Sequence, residues 1–199
     1  MTVDKQQLRK QYISKRKAVS AVEMAIKSQQ IADLFFANFD LSKVKNLHIF
    51  LPILKHNEIN TWLIIKYLQQ NFPFINIVIP KTISANSTLE HYLFDENKLT
   101  ENLWGILEPS EENPIKILPE HIDLVIIPLL IFDIKGNRVG YGKGFYDRFL
   151  QACKPKTLKI GVCLEDAIKL IEDTNGFDIK MDFCITPNKI YEFKNFSSD

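Results

Sequence analysis

Glycine is scarce in this chain, and so are cysteine, paired histidines and net charge. Each shortage excludes something. Three cysteines (Cys153, Cys163, Cys184), widely spaced and without a C-x-x-C pair, supply neither a disulfide framework nor a zinc site. They suit a reducing compartment, so a cytoplasmic protein is expected. The four histidines (His48, His56, His91, His121) form no H-x-x-x-H or H-E-x-x-H pair. Each therefore reads as a core or surface residue before a metal ligand. A net charge of +1 provides no global field to draw nucleic acid or an anionic membrane. The longest apolar run, Leu124 to Phe132, is interrupted by Pro128 and has about half of the roughly 20 residues that span a bilayer. No secretory signal pattern opens the chain, and Asp4, Glu23 and the preference for Lys over Arg argue against a mitochondrial presequence.

What remains is an ordinary globular composition, 46% hydrophobic and 25% charged over 199 residues, which suits one domain over 1–199 with a real core. Lys5 and Arg9 share one face of a helix expected over 3–18. Ser20 and Glu23 form a capping box for a second helix reaching about Asn38. Leu47–Leu51 reads as a short buried strand. Asn60 or Thr61 caps a third helix through Gln70. Ile75–Ile79 reads as a strand stopped by Pro80, and Leu89–Phe94 as another. Residues 95 to 121 read as mostly irregular. Asp123–Pro128 is apolar on both faces, as at the centre of a parallel sheet. A further helix over Asp147–Cys153 and strands at Leu158–Val162 and Phe183–Thr186 complete the pattern. Strands alternating with helices imply an α/β protein. The expected architecture is a single-domain, Rossmann-like three-layer fold with a mostly parallel central sheet flanked by helices.

The few glycines are not spread evenly. Four of the seven fall in Gly136-Asn-Arg138-Val-Gly140-Tyr-Gly142-Lys-Gly144-Phe-Tyr146-Asp147-Arg148. Without Cβ atoms, alternating glycines can turn several backbone N–H groups toward one point, and such a concavity holds phosphate oxygens. Arg138 and Lys143 add cationic donors, a helix begins directly afterward, and Asp147 offers a carboxylate for a metal ion. The loop is neither a P-loop, lacking Gly-Lys-Ser/Thr, nor a dinucleotide fingerprint. A tight strand-to-helix turn is the competing reading. The Arg, Lys and Asp in the same few residues favour a polyphosphate cradle.

With those residues in place, the chain resembles the 5-formyltetrahydrofolate cyclo-ligase (5,10-methenyltetrahydrofolate synthetase) family. The resemblance rests on Lys5-Gln-Gln-Leu8-Arg9, Phe50-Leu51-Pro52 with Glu58-Ile-Asn-Thr61, and Ile79-Pro80-Lys81. It continues through Trp104-Gly105-Ile-Leu-Glu108-Pro109, Asp123 to Leu150 including Phe132-Asp133, and Met181-Asp182 to Pro187. Two residues are inserted between Leu51 and Glu58 relative to shorter relatives. Lys143 stands where many relatives have glycine, and Phe145 where tyrosine is frequent. The resemblance implies ATP-dependent closure of 5-formyltetrahydrofolate to 5,10-methenyltetrahydrofolate, with phosphorylation of the formyl oxygen and attack by N10. It implies ATP contacts from Lys5, Arg9, Arg138, Val139, Gly140, Tyr141, Gly142, Lys143, Gly144, Phe145 and Tyr146. Arg138, Lys143 and Tyr146 are the expected catalytic residues. Folate contacts are expected from Leu51, Glu58 and Trp104 and from loop residues 141–145. Asp147 and Asp182 are the expected Mg2+ ligands, with Asp133 a further candidate. A monomer is expected, since no heptad pattern is present. Two other functions fit the same loop: an ATP-dependent phosphotransferase or ligase acting on another small molecule, and a non-catalytic sensor of phosphorylated metabolites.

Overall fold

Local capping sets where the first helices begin. In the computed structural model, which describes residues 4–102, 105–112 and 115–193, Asp4 accepts the Gln7 N–H at 2.7 Å and starts α1 (Lys5–Ala18). Ser20 accepts the Glu23 N–H at 3.2 Å and starts α2 (Ala21–Asn38). Asn60 supplies an oxygen to Trp62 N–H ahead of α3 (Trp62–Asn71). α4 (Phe145–Ala152) has no side-chain cap and begins from Gly144, which is left-handed.

The strands are β1 (Asn46–His48), β2 (Asn76–Ile83), β3 (Thr88–Leu93), β4 (Leu99–Glu101), β5 (Leu107–Pro109), β6 (Leu124–Pro128), β7 (Ile131–Phe132), β8 (Arg138–Val139), β9 (Leu158–Val162), β10 (Phe183–Ile185) and β11 (Ile190–Glu192). Seven of them form one sheet in the order β11-β10-β9-β6-β1-β2-β3. Neighbours from β10 to β2 pair in parallel, and the edge strands β11 and β3 are antiparallel. β4–β5 and β7–β8 are separate two-stranded ribbons.

The apolar run of β6 is explained by the two cores it separates. Leu124 and Ile126 face a cluster with Ile31, Phe35, Ile64 and Leu68 of α2 and α3. Val125 and Ile127 face the opposite cluster with Phe149 and Leu150 of α4. Helices thus cover both faces of a mostly parallel sheet, as the sequence pattern implies. α1 packs Leu8 and Tyr12 on Leu130, Ile131 and Val139, which seats it beside the glycine loop.

Pro80 does not stop its strand. β2 continues to Ile83, and Pro80 lies opposite His91. The His91 carbonyl turns away from β2 to accept Ile117 N–H, so nothing in β3 asks Pro80 for a donor. β1 has also ended by this level, its last partner being Val78. A proline is tolerated where both neighbours leave its nitrogen unused. The segment 95–121 also holds more structure than its sequence suggests, namely the β4–β5 ribbon and a short helical turn at Pro119–His121.

Candidate functional site

The sheet order reverses between β1 and β6. From β1 the chain moves outward to β2, then returns to the other side of β1 and continues to β9 and β10. Ligand sites in open α/β sheets form beyond the carboxyl ends of strands at such a point. A cleft lies there, walled by Phe50 after β1, Pro128 to Leu130 after β6 and Leu164 after β9. Tyr12 and Arg16 of α1, Glu58 and Tyr141 close its rim.

The glycine loop reaches this rim from the β7–β8 ribbon. Asp133 builds the ribbon's turn. Its Oδ1 accepts Lys135 N–H and Asn137 N–H at 2.9 and 3.0 Å, and its Oδ2 accepts Asn137 Nδ2 and Ile171 N–H at 2.8 and 3.1 Å. Fully buried and holding four donors, this carboxylate organises the turn and has no capacity left for a metal ion. Beyond the ribbon the chain changes character. Gly142 and Gly144 take φ of +92° and +68°, a region closed to most side-chain-bearing residues. From Tyr141 to Asp147, seven consecutive backbone N–H groups have no acceptor among the described residues. The first helical N–H groups of α4 belong to this set and add the partial positive charge of a helix start.

Two cations accompany these donors. Arg9 donates from Nε to the Gly140 carbonyl at 3.0 Å and lies flat on Gly142, where a Cβ would come 2.8 Å from the guanidinium carbon. The exposed Lys143 side chain has no partner among the described residues. Arg138 is arranged differently. Its guanidinium turns inward, with Nη2 on Asp147 Oδ1 at 2.6 Å and Nη1 on the Ile179 carbonyl. Only 6% of the Arg138 side chain is exposed. Burial pulls its pKa down and the Asp147 carboxylate pulls it back. Asp147 Oδ1 also accepts Ile179 N–H at 3.2 Å, while Oδ2 has no hydrogen bond among the described residues.

Lys5 is held by acidic residues, its ammonium 2.5 Å from Asp178 Oδ2. Asp182 sits at the amino end of β10, with Oδ2 accepting Lys159 N–H at 2.8 Å and paired with Lys159 Nζ at 2.9 Å. Lys159 thus holds Asp182, whereas Arg138 holds Asp147. Among the described residues no three His, Cys, Asp or Glu side chains cluster as a metal site. Leu51 is buried in the core with α2 and α3. Trp104 lies outside the described residues. Phe145 opens α4, and Tyr146 turns its ring toward His48 and Phe149. The Tyr146 hydroxyl is buried without a hydrogen-bond partner among the described residues. Burial, then the Glu58 charge, pushes its pKa up, so it is a neutral donor awaiting an acceptor.

Glu58 is brought to the loop. Tyr141 Oη donates to Glu58 Oε1 at 2.5 Å, and Ile53 N–H donates to Oε2 at 2.9 Å. Burial and the Glu58 charge raise the Tyr141 pKa, which keeps the phenol a donor. Arg16, absent from the sequence-based candidates, meets both residues. Its spacing was a usable signal: positions 5, 9, 12 and 16 fall on one face of α1.

A three-layer α/β protein with an open row of backbone donors at the switch point of its sheet belongs to a class whose sites suit small anionic ligands. The comparisons narrow this class. The model of the 5-formyltetrahydrofolate cyclo-ligase family matches residues 1–187, and the chain belongs to that family. A 5-formyltetrahydrofolate cyclo-ligase of Mycoplasma genitalium is 29% identical over 191 residues, covering 92% of this chain and 98% of the relative. A "probable 5-formyltetrahydrofolate cyclo-ligase" of Schizosaccharomyces pombe is 34% identical, over 58% of this chain and 63% of its own length. The solved 5,10-methenyltetrahydrofolate synthetase of Aquifex aeolicus superposes with a TM-score of 0.80 at 26% identity, covering 98% of this chain and 95% of that one. The Mycoplasma pneumoniae synthetase gives 0.69 at 27% identity, over 93% and 99%.

Proposed function

We propose that this protein converts 5-formyltetrahydrofolate to 5,10-methenyltetrahydrofolate at the expense of ATP. The observation that carries the reading is the row of unpaired N–H groups from Tyr141 to Asp147, set beside a cleft whose rim holds the Glu58 carboxylate. The first feature suits phosphate oxygens, and the second suits the N–H-rich edge of a pterin. The formyl oxygen is a poor leaving group. Transfer of the γ-phosphoryl group to it releases ADP and creates a phosphate ester. N10 then attacks the formyl carbon, the C–O bond breaks with departure of phosphate, and the N10 proton is lost.

Phosphoryl transfer asks the protein mainly for positioning and charge neutralisation. The loop N–H groups, Lys143 and Arg9 supply both, and the buried Tyr146 hydroxyl offers one more donor. The spare Oδ2 of Asp147 fits Mg2+, a hard cation that takes one or two carboxylates with phosphate oxygens and water. When bound, Mg2+ would neutralise charge on the phosphates. Asp182 would join it from its place beside Lys159. Lys5, paired with Asp178, keeps two further ammonium donors for the nucleotide.

The test is a spectrophotometric assay with 5-formyltetrahydrofolate, ATP and Mg2+. Appearance of the methenyl chromophore in step with ADP is the expected result. ADP formation without folate dependence would point to another substrate, and ligand binding without turnover to a sensor. We also assign the protein to the cytoplasm as a monomer, which fractionation and sedimentation would check. No helix among the described residues is long and apolar enough to cross a membrane.

A further inference from the structure

We propose that Arg16 is a positioning residue for the folate end of the cleft, holding the Glu58 carboxylate and the Tyr141 phenol in one arrangement on which substrate affinity depends. The inference rests on the folate reading of Glu58 given above.

Arg16 comes from the last turns of α1, and its side chain is only 11% exposed. Nη1 lies 4.0 Å from Glu58 Oε1, and Nη2 donates to the Tyr141 hydroxyl. The guanidinium carbon is 5.3 Å from the centre of the Tyr141 ring. One planar group therefore meets the acceptor expected to face the pterin and the aromatic residue that joins Glu58 to the glycine loop. A planar fork can satisfy two partners in fixed directions, which a single ammonium cannot.

The frame behind this contact is equally specific. Asn57, the residue before Glu58, is left-handed with φ of 51°. Its Nδ2 donates to the carbonyls of Arg16 and Val19 at 3.2 and 2.9 Å. The end of α1 and the segment carrying Glu58 are thus one unit, and the inserted residues before Glu58 do not detach it from the site. Arg16 approaches Glu58 from one side of this unit and Ile53 N–H from the other.

A purely structural ion pair is the competing account. Two observations weigh against it. The group lines the cleft instead of sealing a core. Its Nε is also buried without an acceptor among the described residues, a cost that a pair selected for stability alone would avoid.

The test compares wild type with Arg16→Met, Arg16→Lys and Tyr141→Phe. It reads KM and kcat for 5-formyltetrahydrofolate, ATP affinity by calorimetry and the thermal midpoint. Arg16→Met should raise the folate KM about tenfold or more, the effect of one lost charge-assisted contact, while ATP affinity stays within about twofold. Arg16→Lys keeps the charge without the fork and should fall between Met and wild type. Tyr141→Phe keeps the ring but not the hydroxyl, and should show the same selective rise even if Arg16→Met does not fold. An unchanged folate KM in folded Arg16→Lys and Tyr141→Phe proteins overturns the proposal. So does a parallel loss of folate KM, ATP affinity and thermal midpoint. A wild-type protein that makes no methenyl product would instead overturn the proposed activity.

Discussion

Lowering the pH from 8 to 5 should destabilise this protein well before its carboxylates titrate, because two histidines are buried neutral behind the active loop. His48 extends from β1 toward α4, its ring 5.0 Å from His91 and 4.6 Å from Phe149. His91 packs 4.0 Å from Phe149. Both nitrogens of His48, and Nδ1 of His91, have no hydrogen-bond partner among the described residues. Burial, reinforced by Lys116, takes the His91 pKa from 6.5 to about 4, with Glu90 opposing. Burial and the neighbouring His91 push His48 well below 6.5. The folded state then binds fewer protons than the unfolded chain across this window. The stability tied to these groups is complete above about 6.5 and is lost as the pH falls toward about 4. For His91 alone, an unfolded value of 6.5 and a folded value of about 4 give a loss of about 2 kcal/mol between pH 8 and pH 5. His48 adds in the same direction. Urea unfolding at pH 8, 6.5 and 5 measures the loss directly. His91→Leu, which replaces the ring with an apolar group, should flatten the dependence. Stability that stays level from pH 8 to 5, or a slope unchanged in His91→Leu, would refute the reasoning.

Arg138→Ala should lower stability by about 2–3 kcal/mol, since it unpairs Asp147 and the Ile179 carbonyl, the partly exposed Asp147 softening the loss. Thermal or urea unfolding measures this, and an unaltered midpoint would show that the strut contributes nothing. Asp147→Asn should sharply reduce turnover and raise the Mg2+ concentration needed for half-maximal rate, while retained activity with unchanged Mg2+ dependence would make the carboxylate structural. Gly142→Ala forces a side chain to φ of +92° against Arg9 and should weaken ATP binding about tenfold by calorimetry, the effect of roughly 1–2 kcal/mol of backbone strain. Glu58→Gln leaves an amide among the Tyr141, Ile53 and Arg16 donors, and this mismatch of about 1–3 kcal/mol should raise the folate KM roughly tenfold with ATP affinity unchanged.

Elements with a local physical signature were legible in the sequence. Ser20 and Glu23 mark the start of α2, and β6 announces itself by burying alternate residues in two cores. Elements that exist because of their neighbours were hidden. Pro80 reads as a terminator until the chain opposite it is known. β11 is three residues long and is held by pairing with β10. In the site, glycine clustering marked the loop, because glycine is rare elsewhere in the chain. The same sequence could not say that Asp133 faces inward with four donors while Asp147 keeps an oxygen free. Nor could it say that Arg138 points away from the loop's open side. Direction along a two-residue strand depends on what packs on each face, here Ile179 and Asp147.

The loop changes character along its length. At its base the polar side chains are tied down, with only Asp147 Oδ2 spare among the described residues. Asp133 saturates the turn, and Arg138 ties Asp147 to Ile179. At its tip the N–H groups from Tyr141 to Asp147 have no acceptor among the described residues, and positive φ at Gly142 and Gly144 favours glycine there. Water can satisfy exposed donors in the absence of ligand, so openness at the tip costs little, whereas one open group at the buried base would cost about 1–3 kcal/mol. A rigid base also limits the reorganisation needed when an anion binds, and preorganised donors favour charge that develops during phosphoryl transfer. α1 completes the design from outside the loop. Arg9 rests on the tip and Arg16 reaches Glu58, so one helix face spans from the glycine loop to Glu58. That geometry places the two proposed substrates against the same rigid element, where the γ-phosphoryl group and the formyl oxygen must meet.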